Sequence, residues 1–201
     1  MIQVPLQRDP VKAKRRRPEY ALDARLGLVW CPFTILVDQQ EGLPYTFPGV
    51  FTTVKKKRVP MAVTTEICHL ATGDYTIKGF ADQIGIERKT HEDYYQTLTW
   101  GRERFKREMD RLLIMDRAWV IVEATAEQCF TSAPSMSRAS PYAVTCTWLS
   151  WQERWPKVQW LFLGNRAFAE RVTFRLLEMW WRTKQKKEDL TSQPKQGVDH
   201  E

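Results

Sequence analysis

The stretch GIERKTHEDYYQTL, residues 85–98, changes its hydrophobic rhythm in the middle. Extended back to Gln83 as QIGIERK, its first half suits a short strand. Thr90 followed three residues later by Asp93 is a capping-box-like start for a helix, which carries Tyr94 and Leu98 at a spacing of four. Side chains alternate along a strand, so Glu87 and Lys89 share one face while Arg88 points to the other. Glu87, Arg88, Lys89 and Asp93 crowd an apolar-framed segment in which burying any charge is costly.

Working outward, GLVWCPFTILVD reads as a buried strand ending at Asp38, and EGLPYTFPGVF as a loop with two prolines. VPMAVTT and DYTIKG read as further strands, with residues 79–83 turning into QIGIERK. Downstream, RERFKREMDRLLIMD places Phe105, Met109, Leu112 and Leu113 on one helix face. AWVIVEA is a strand. Ser140 and Pro141 open a helix striped by Val144, Trp148, Trp151 and Trp155. VQWLFLG is the last strand, and a final helix from near Asn165 carries the stripe Phe168, Val172, Leu176, Trp180. Strands alternating with helices predict an α/β domain whose mixed sheet is covered by helices.

The division expected is a flexible basic arm over residues 1–24, a folded domain over 25–187, and a polar, disordered tail over 188–201. Hydrophobic residues at 43% and charged residues at 27% are ordinary for a globular protein. A net charge of +7 favours an acidic partner, most simply nucleic acid. Cys31, Cys68, Cys129 and Cys146 form no CxxC pair, which speaks against a zinc site or disulfide framework and for a cytoplasmic location. No apolar run approaches the roughly 20 residues needed to span a bilayer. In the arm, Lys14, Arg15, Arg16 and Arg17 read either as phosphate contacts, a targeting signal or a solvated tail.

A hairpin would bring Asp74, at the start of its strand, beside Glu87, while Asp38 and Glu41 can reach the same edge. Carboxylates converging around one lysine repel each other unless a cation joins them, and hard oxygen donors suit Mg²⁺ or Mn²⁺. Metal-assisted hydrolysis of a phosphodiester follows from such a set. Spacing alone equally allows a solvated strand edge with an ordinary salt bridge.

GDY at 73–75 followed by ERKTHED at 87–93 resembles the GDx…ERKxxxD signature of the nuclease domain shared by XPF and its archaeal Hef relatives. ILVDQQE resembles that family's first strand and its DxRE element, with Gln40 where the family has arginine. The resemblance extends over residues 28–182. It implies a restriction-endonuclease-like three-layer fold and a divalent-metal-dependent DNA endonuclease acting on branched or flapped DNA in repair, recombination or replication. It also implies a homodimer. By position, Asp74 and Glu87 would be the principal metal ligands, Asp38 a further one with Glu41 in support, and Lys89 the catalytic lysine. Asp93 would support the site, and Arg88 would be structural or touch phosphate. The tandem helix-hairpin-helix module of the family has no counterpart after residue 188, so DNA affinity is expected from the nuclease surface, the arm, dimerisation or a protein partner.

Arg102, Arg104, Lys106 and Arg107 read as a solvated helix face, with Arg104 the exception chosen for DNA contact. Glu123 ends a strand near the site. Adjacent Trp180 and Trp181 cannot both face one core, which leaves one for a dimer interface or DNA. The rival to an enzyme is a non-catalytic DNA-binding or scaffold subunit on the same fold; such a subunit would be free to lose the acids or the lysine.

Overall fold

A computed structural model of the chain describes Tyr20 and residues 22–191. Lys14, Arg15, Arg16 and Arg17, and residues 192–201, lie outside the described residues.

The strands are β1 (Leu22–Asp23), β2 (Leu28–Asp38), β3 (Phe51–Val54), β4 (Lys57–Cys68), β5 (Tyr75–Ile77), β6 (Ile84–Lys89), β7 (Arg117–Val122) and β8 (Val158–Phe162). Helices α1 (His91–Leu98), α2 (Arg102–Leu113), α3 (Ala126–Thr131), α4 (Pro141–Arg154) and α5 (Arg166–Thr191) connect and cover them. The strands form one eight-stranded sheet in the order β3-β4-β2-β5-β6-β7-β8, with β1 added against β2. β2 runs parallel to β4 and antiparallel to β5, while β6, β7 and β8 are mutually parallel. The sheet is therefore mixed, with helices on both faces, as the alternation of strand and helix signals predicts.

Each face has its own core. On one, Ile35, Val37, Tyr75, Ile86 and Ile121 pack with Phe174 and Leu177 of α5. On the other, Val120 and Val122 pack under Tyr94 and Tyr95 of α1, Phe105 and Met109 of α2, and Trp151 of α4. Both faces of β7 are buried, which is why its sequence is a continuous apolar run rather than an alternating one.

Three elements escape the sequence reading: β1, β3 and α3. The phase of α5 also differs from the expected stripe. Ala169, Thr173, Phe174, Leu177 and Glu178 are its buried positions, whereas Phe168 is exposed and Val172, Leu176 and Trp180 are half-buried. Trp180 and Trp181 both pack against this core, neither being left over. Trp180 meets Phe80, beyond the end of β5, at 5.1 Å between ring centroids, and Trp181 meets Phe33 of β2 at 5.7 Å. Two different parts of the sheet side thus receive side chains about 100° apart on the helix.

Candidate active site

The ends of β2, β6 and β7 and the start of β5 meet at one edge of the sheet. Asp38 N–H donates to the Asp74 carbonyl at 2.9 Å, and Asp74 N–H donates to the Ile86 carbonyl at 2.8 Å. Tyr75 pairs with Ile86, so the next residues outward, Asp74 and Glu87, lie across from each other. Gly73 makes the approach possible: its φ is +72°, and a Cβ there would stand 3.1 Å from the Ile86 carbonyl oxygen.

The alternation along β6 divides its charges between the two faces. Glu87 and Lys89 are buried together and form an ion pair. Lys89 Nζ also lies 4.8 Å from the centre of the Phe105 ring. Burial alone would lower the lysine pKa, but the charges of Glu87 and Asp74 more than offset it and hold the ammonium above its ordinary value. Asp74 accepts the Arg88 N–H at 2.6 Å. Enclosure by protein, and then the Glu87 charge, push its carboxyl well above the usual range, against the pull of Lys89.

A third carboxylate joins them from α2. Glu108 accepts the Gly73 N–H at 2.8 Å and pairs with Arg111, which in turn donates to Thr72 Oγ1 at 3.1 Å. Burial and then the Glu87 charge raise its pKa. The sequence reading of α2 as a solvated basic face did not single out Glu108. Its position beside Phe105, Met109 and Leu112 on the buried stripe was the available signal.

On the opposite face Arg88 is the hub of a second cluster. Its Nε and Nη2 donate to the two oxygens of Glu123 at 2.7 and 2.8 Å, and its Nη1 donates to Glu41 at 2.9 Å. Tyr45 OH adds a bond to Glu123 at 2.6 Å. The Arg88 side chain is only 8% exposed, so its guanidinium faces carboxylates and not solvent. Burial would raise the Glu123 pKa, yet the Arg88 and Tyr45 hydrogen bonds win and hold the carboxyl below its ordinary value. Glu123 is thus a structural anchor, and Glu41 is tied to it through Arg88.

The remaining predicted residues have other employment. Asp38 caps two turns, accepting from Leu70 N–H at 2.9 Å and Gln40 N–H at 3.1 Å. The family-like element thus places Asp38 at the edge while its oxygens serve the backbone. Asp93 completes the capping box with Thr90, and its charge also reaches Lys89. Arg104 is exposed on α2. His69 lies 3.9 Å from Asp38 and is itself largely exposed.

Asp74, Glu87 and Glu108 thus set three carboxyl groups against two cations, Lys89 and Arg111. Such a set fits a hard divalent cation held through one or two carboxylates, with water and substrate oxygens supplying the rest. It is not a closed cage: among the described residues no three His, Cys, Asp or Glu side chains converge as a complete metal-binding group.

Comparison with known proteins agrees with this geometry. No curated protein matches the chain by sequence. Among solved structures the fold is similar to XPF from Aeropyrum pernix, with a TM-score of 0.55 and 19% identity over 82% of this chain and 75% of that one. The model of the ERCC4 domain matches residues 37–176, a span that contains β5, β6 and every residue of the two charge clusters. With Gly73, Asp74, Glu87, Arg88 and Lys89 assembled at one sheet edge of that fold, the chain belongs to the ERCC4-domain family.

Proposed function

We propose that the protein is a divalent-metal-dependent DNA endonuclease that hydrolyses phosphodiester bonds and selects branched or flapped DNA. One observation carries this reading: Asp74, Glu87 and Lys89 share a face at a single edge, two carboxyl groups gathered about one ammonium. Asp74 and Glu87 would hold Mg²⁺ or Mn²⁺, and a bound ion would stabilise charge developing on the phosphoryl group and lower the pKa of water.

The chain's own groups supply the rest. Lys89, kept cationic by its two acidic neighbours, is placed to orient a nucleophilic water and to balance transition-state charge. The Arg88 N–H fixes one oxygen of Asp74, which aims the other away from the strand backbone. Glu108 secures the turn that delivers Asp74. Asp38 and Glu41 act here through the backbone and through Arg88. Free cysteines at Cys31, Cys68, Cys129 and Cys146 suit action in a reducing, cytoplasmic compartment. We assign homodimerisation to the cleft beside half-buried Trp180 and exposed Met179 of α5.

The deciding experiment is cleavage of labelled flap, fork, four-way-junction, single-stranded and duplex DNA with Mg²⁺, with Mn²⁺ and with EDTA. Cutting that needs metal, prefers a branched substrate and disappears in Asp74→Asn and Lys89→Ala supports the reading. DNA binding without cutting by folded wild type would transfer it to a scaffold role.

A further inference from the structure

The β3–β4 hairpin reverses through Lys55 and Lys56, both at positive φ, 44° and 69°. A two-residue turn of this handedness matches the twist of its strands, and asparagine and glycine enter it with least strain. Lysine is a poor choice on conformational grounds. The chain nevertheless sets Lys55, Lys56, Lys57 and Arg58 in a row. Strain kept in a turn directs attention to what its side chains do outside it.

Helix α5 passes alongside. Between hairpin and helix lies a cleft of about 370 Å³ lined by Thr52, Thr53, Arg58, Arg171 and Arg175. The Arg58 guanidinium lies 3.8 Å over the Phe51 ring, which holds its planar face against the surface. On α5, Glu178 is already shared between Arg175 and Arg182, and Glu170 accepts the Thr46 and Phe47 N–H groups. Among the described residues Lys55, Lys56, Lys57, Arg58 and Arg171 make no ion pair. The result is a strip in which these five cations have no ion-pair partner among the described residues.

We propose that this strip is a second DNA contact, gripping the duplex phosphate backbone at a distance from the scissile bond. It rests on the DNA-cleaving reading above and extends it. Strand β4 links the two places: Lys57 begins it at the hairpin, and Cys68 ends it opposite Asp38 at the active edge. Its twelve residues, at about 3.3 Å each, separate them by at most about 36 Å, near the roughly 34 Å of one turn of B-form DNA. The strip lies on the α5 side of the sheet and Glu87 and Lys89 on the α2 side, so the contact proposed is with a stretch of duplex about one turn removed from the cleavage point and wrapped toward the α5 face. Lysines on mobile stems and a surface guanidinium suit phosphate oxygens and carry no sequence preference.

Lysine near an edge strand also discourages chains from pairing, and cationic patches bind anionic lipid. Binding of a fluorescent 20-base-pair duplex in EDTA, measured from 50 to 300 mM salt, separates these uses from DNA contact. The variant Lys55→Asn/Lys56→Gly removes two charges and eases the turn. The expected result is an affinity loss on the order of tenfold at 0.1 M salt and a salt slope lower by about 1.8. Its Tm is expected to rise by about 2–4 °C. Arg171→Gln, on an exposed helix position, is the second variant and should lower the slope by about 0.9.

Unchanged DNA affinity in both variants would overturn the proposal. So would self-association of the turn variant, or loss of binding to phosphatidylserine vesicles, with DNA binding intact. Because no metal is present, the outcome is independent of cleavage: a wild type that never cuts but loses its salt slope in these variants defeats the nuclease reading and leaves the DNA contact standing.

Discussion

Arg88 and Glu123 face each other across β6 and β7 through two parallel hydrogen bonds of 2.7 and 2.8 Å. The pair ties the strand carrying Glu87 and Lys89 to its neighbour, and through Glu41 and Tyr45 it also ties down the loop that follows β2. Removing the guanidinium takes its cation from two buried carboxylates, leaving Glu123 only the Tyr45 hydroxyl at 2.6 Å and Arg166 at 3.7 Å. Arg88→Met should cost about 3–5 kcal/mol, because uncompensated buried charge is the expensive case. Arg88→Lys should recover only part, since an ammonium cannot reproduce the fork. Urea unfolding of the three proteins measures both values; a loss below about 1 kcal/mol in Arg88→Met would show that the cluster is not holding the fold.

At the catalytic face, metal binding should stabilise the protein. With the ion at 100 times its dissociation constant, wild type should gain about 2.7 kcal/mol against unfolding. Glu87→Gln and Asp74→Asn should abolish the gain. Since enclosure and Glu87 hold the Asp74 carboxyl above its ordinary value, the ion competes with a proton there, and affinity should increase as pH rises. Thermal shifts across a Mg²⁺ titration at several pH values test this without recourse to activity.

Gly73→Ala is expected to separate positioning from folding. The methyl group would need φ near +72° and would press on the Ile86 carbonyl at 3.1 Å. The conformational cost is about 1–2 kcal/mol. Cleavage should fall further than that, by on the order of 100-fold, because Asp74 is displaced from Glu87. Equal effects on Tm and turnover would show that the turn only stabilises.

The alkaline limb of stability has assignable causes. Burial pushes the Cys31 thiol up to about 11 and the Cys129 thiol up to about 12, from an ordinary 9.0. Below pH 9 both states keep these protons. Above it the unfolded chain releases protons that the folded chain retains, so stability falls as pH rises toward 11. Cys31→Ala should flatten the first part of this decline, read as Tm between pH 8 and 11. Exposed Cys146 should react with iodoacetamide at pH 8 well before half-buried Cys31 or buried Cys129.

Arg104 is exposed on α2, next in the chain to Phe105, whose ring meets Lys89 Nζ at 4.8 Å. Arg104→Gln should weaken binding to all DNA sequences alike and lower the salt slope by about 0.9. An unchanged slope would return Arg104 to the solvated face of its helix.

What the sequence made readable was the junction of β6 and α1. Period-two alternation and the Thr90–Asp93 box are local signals, and both act within a few residues. The assignment of Glu87 and Lys89 to one face followed from the same alternation. The phase of α5 was not readable, because its apolar residues lie on more than one side while small Ala169 and polar Thr173 occupy buried positions. Strand β1 and helix α3 are too short for periodicity to register. The use of Asp38 oxygens on Leu70 and Gln40, and of Glu108 on Gly73, depends on where distant segments return, which no local pattern encodes.

Three consecutive residues of β6 serve two masters. In the nuclease reading proposed above, Glu87 and Lys89 answer to chemistry, whereas Arg88 answers to the architecture on the far side of the sheet. On that reading, a descendant relieved of the proposed activity is free to drift at the outer two positions and still bound at the middle one. Arginine persisting alone between altered neighbours is the expected fossil of a retired enzyme. A one-residue insertion in β6 has the opposite character, since it would turn the acid and the lysine toward Glu123 and the guanidinium toward the cleavage face, and no single later substitution could restore both.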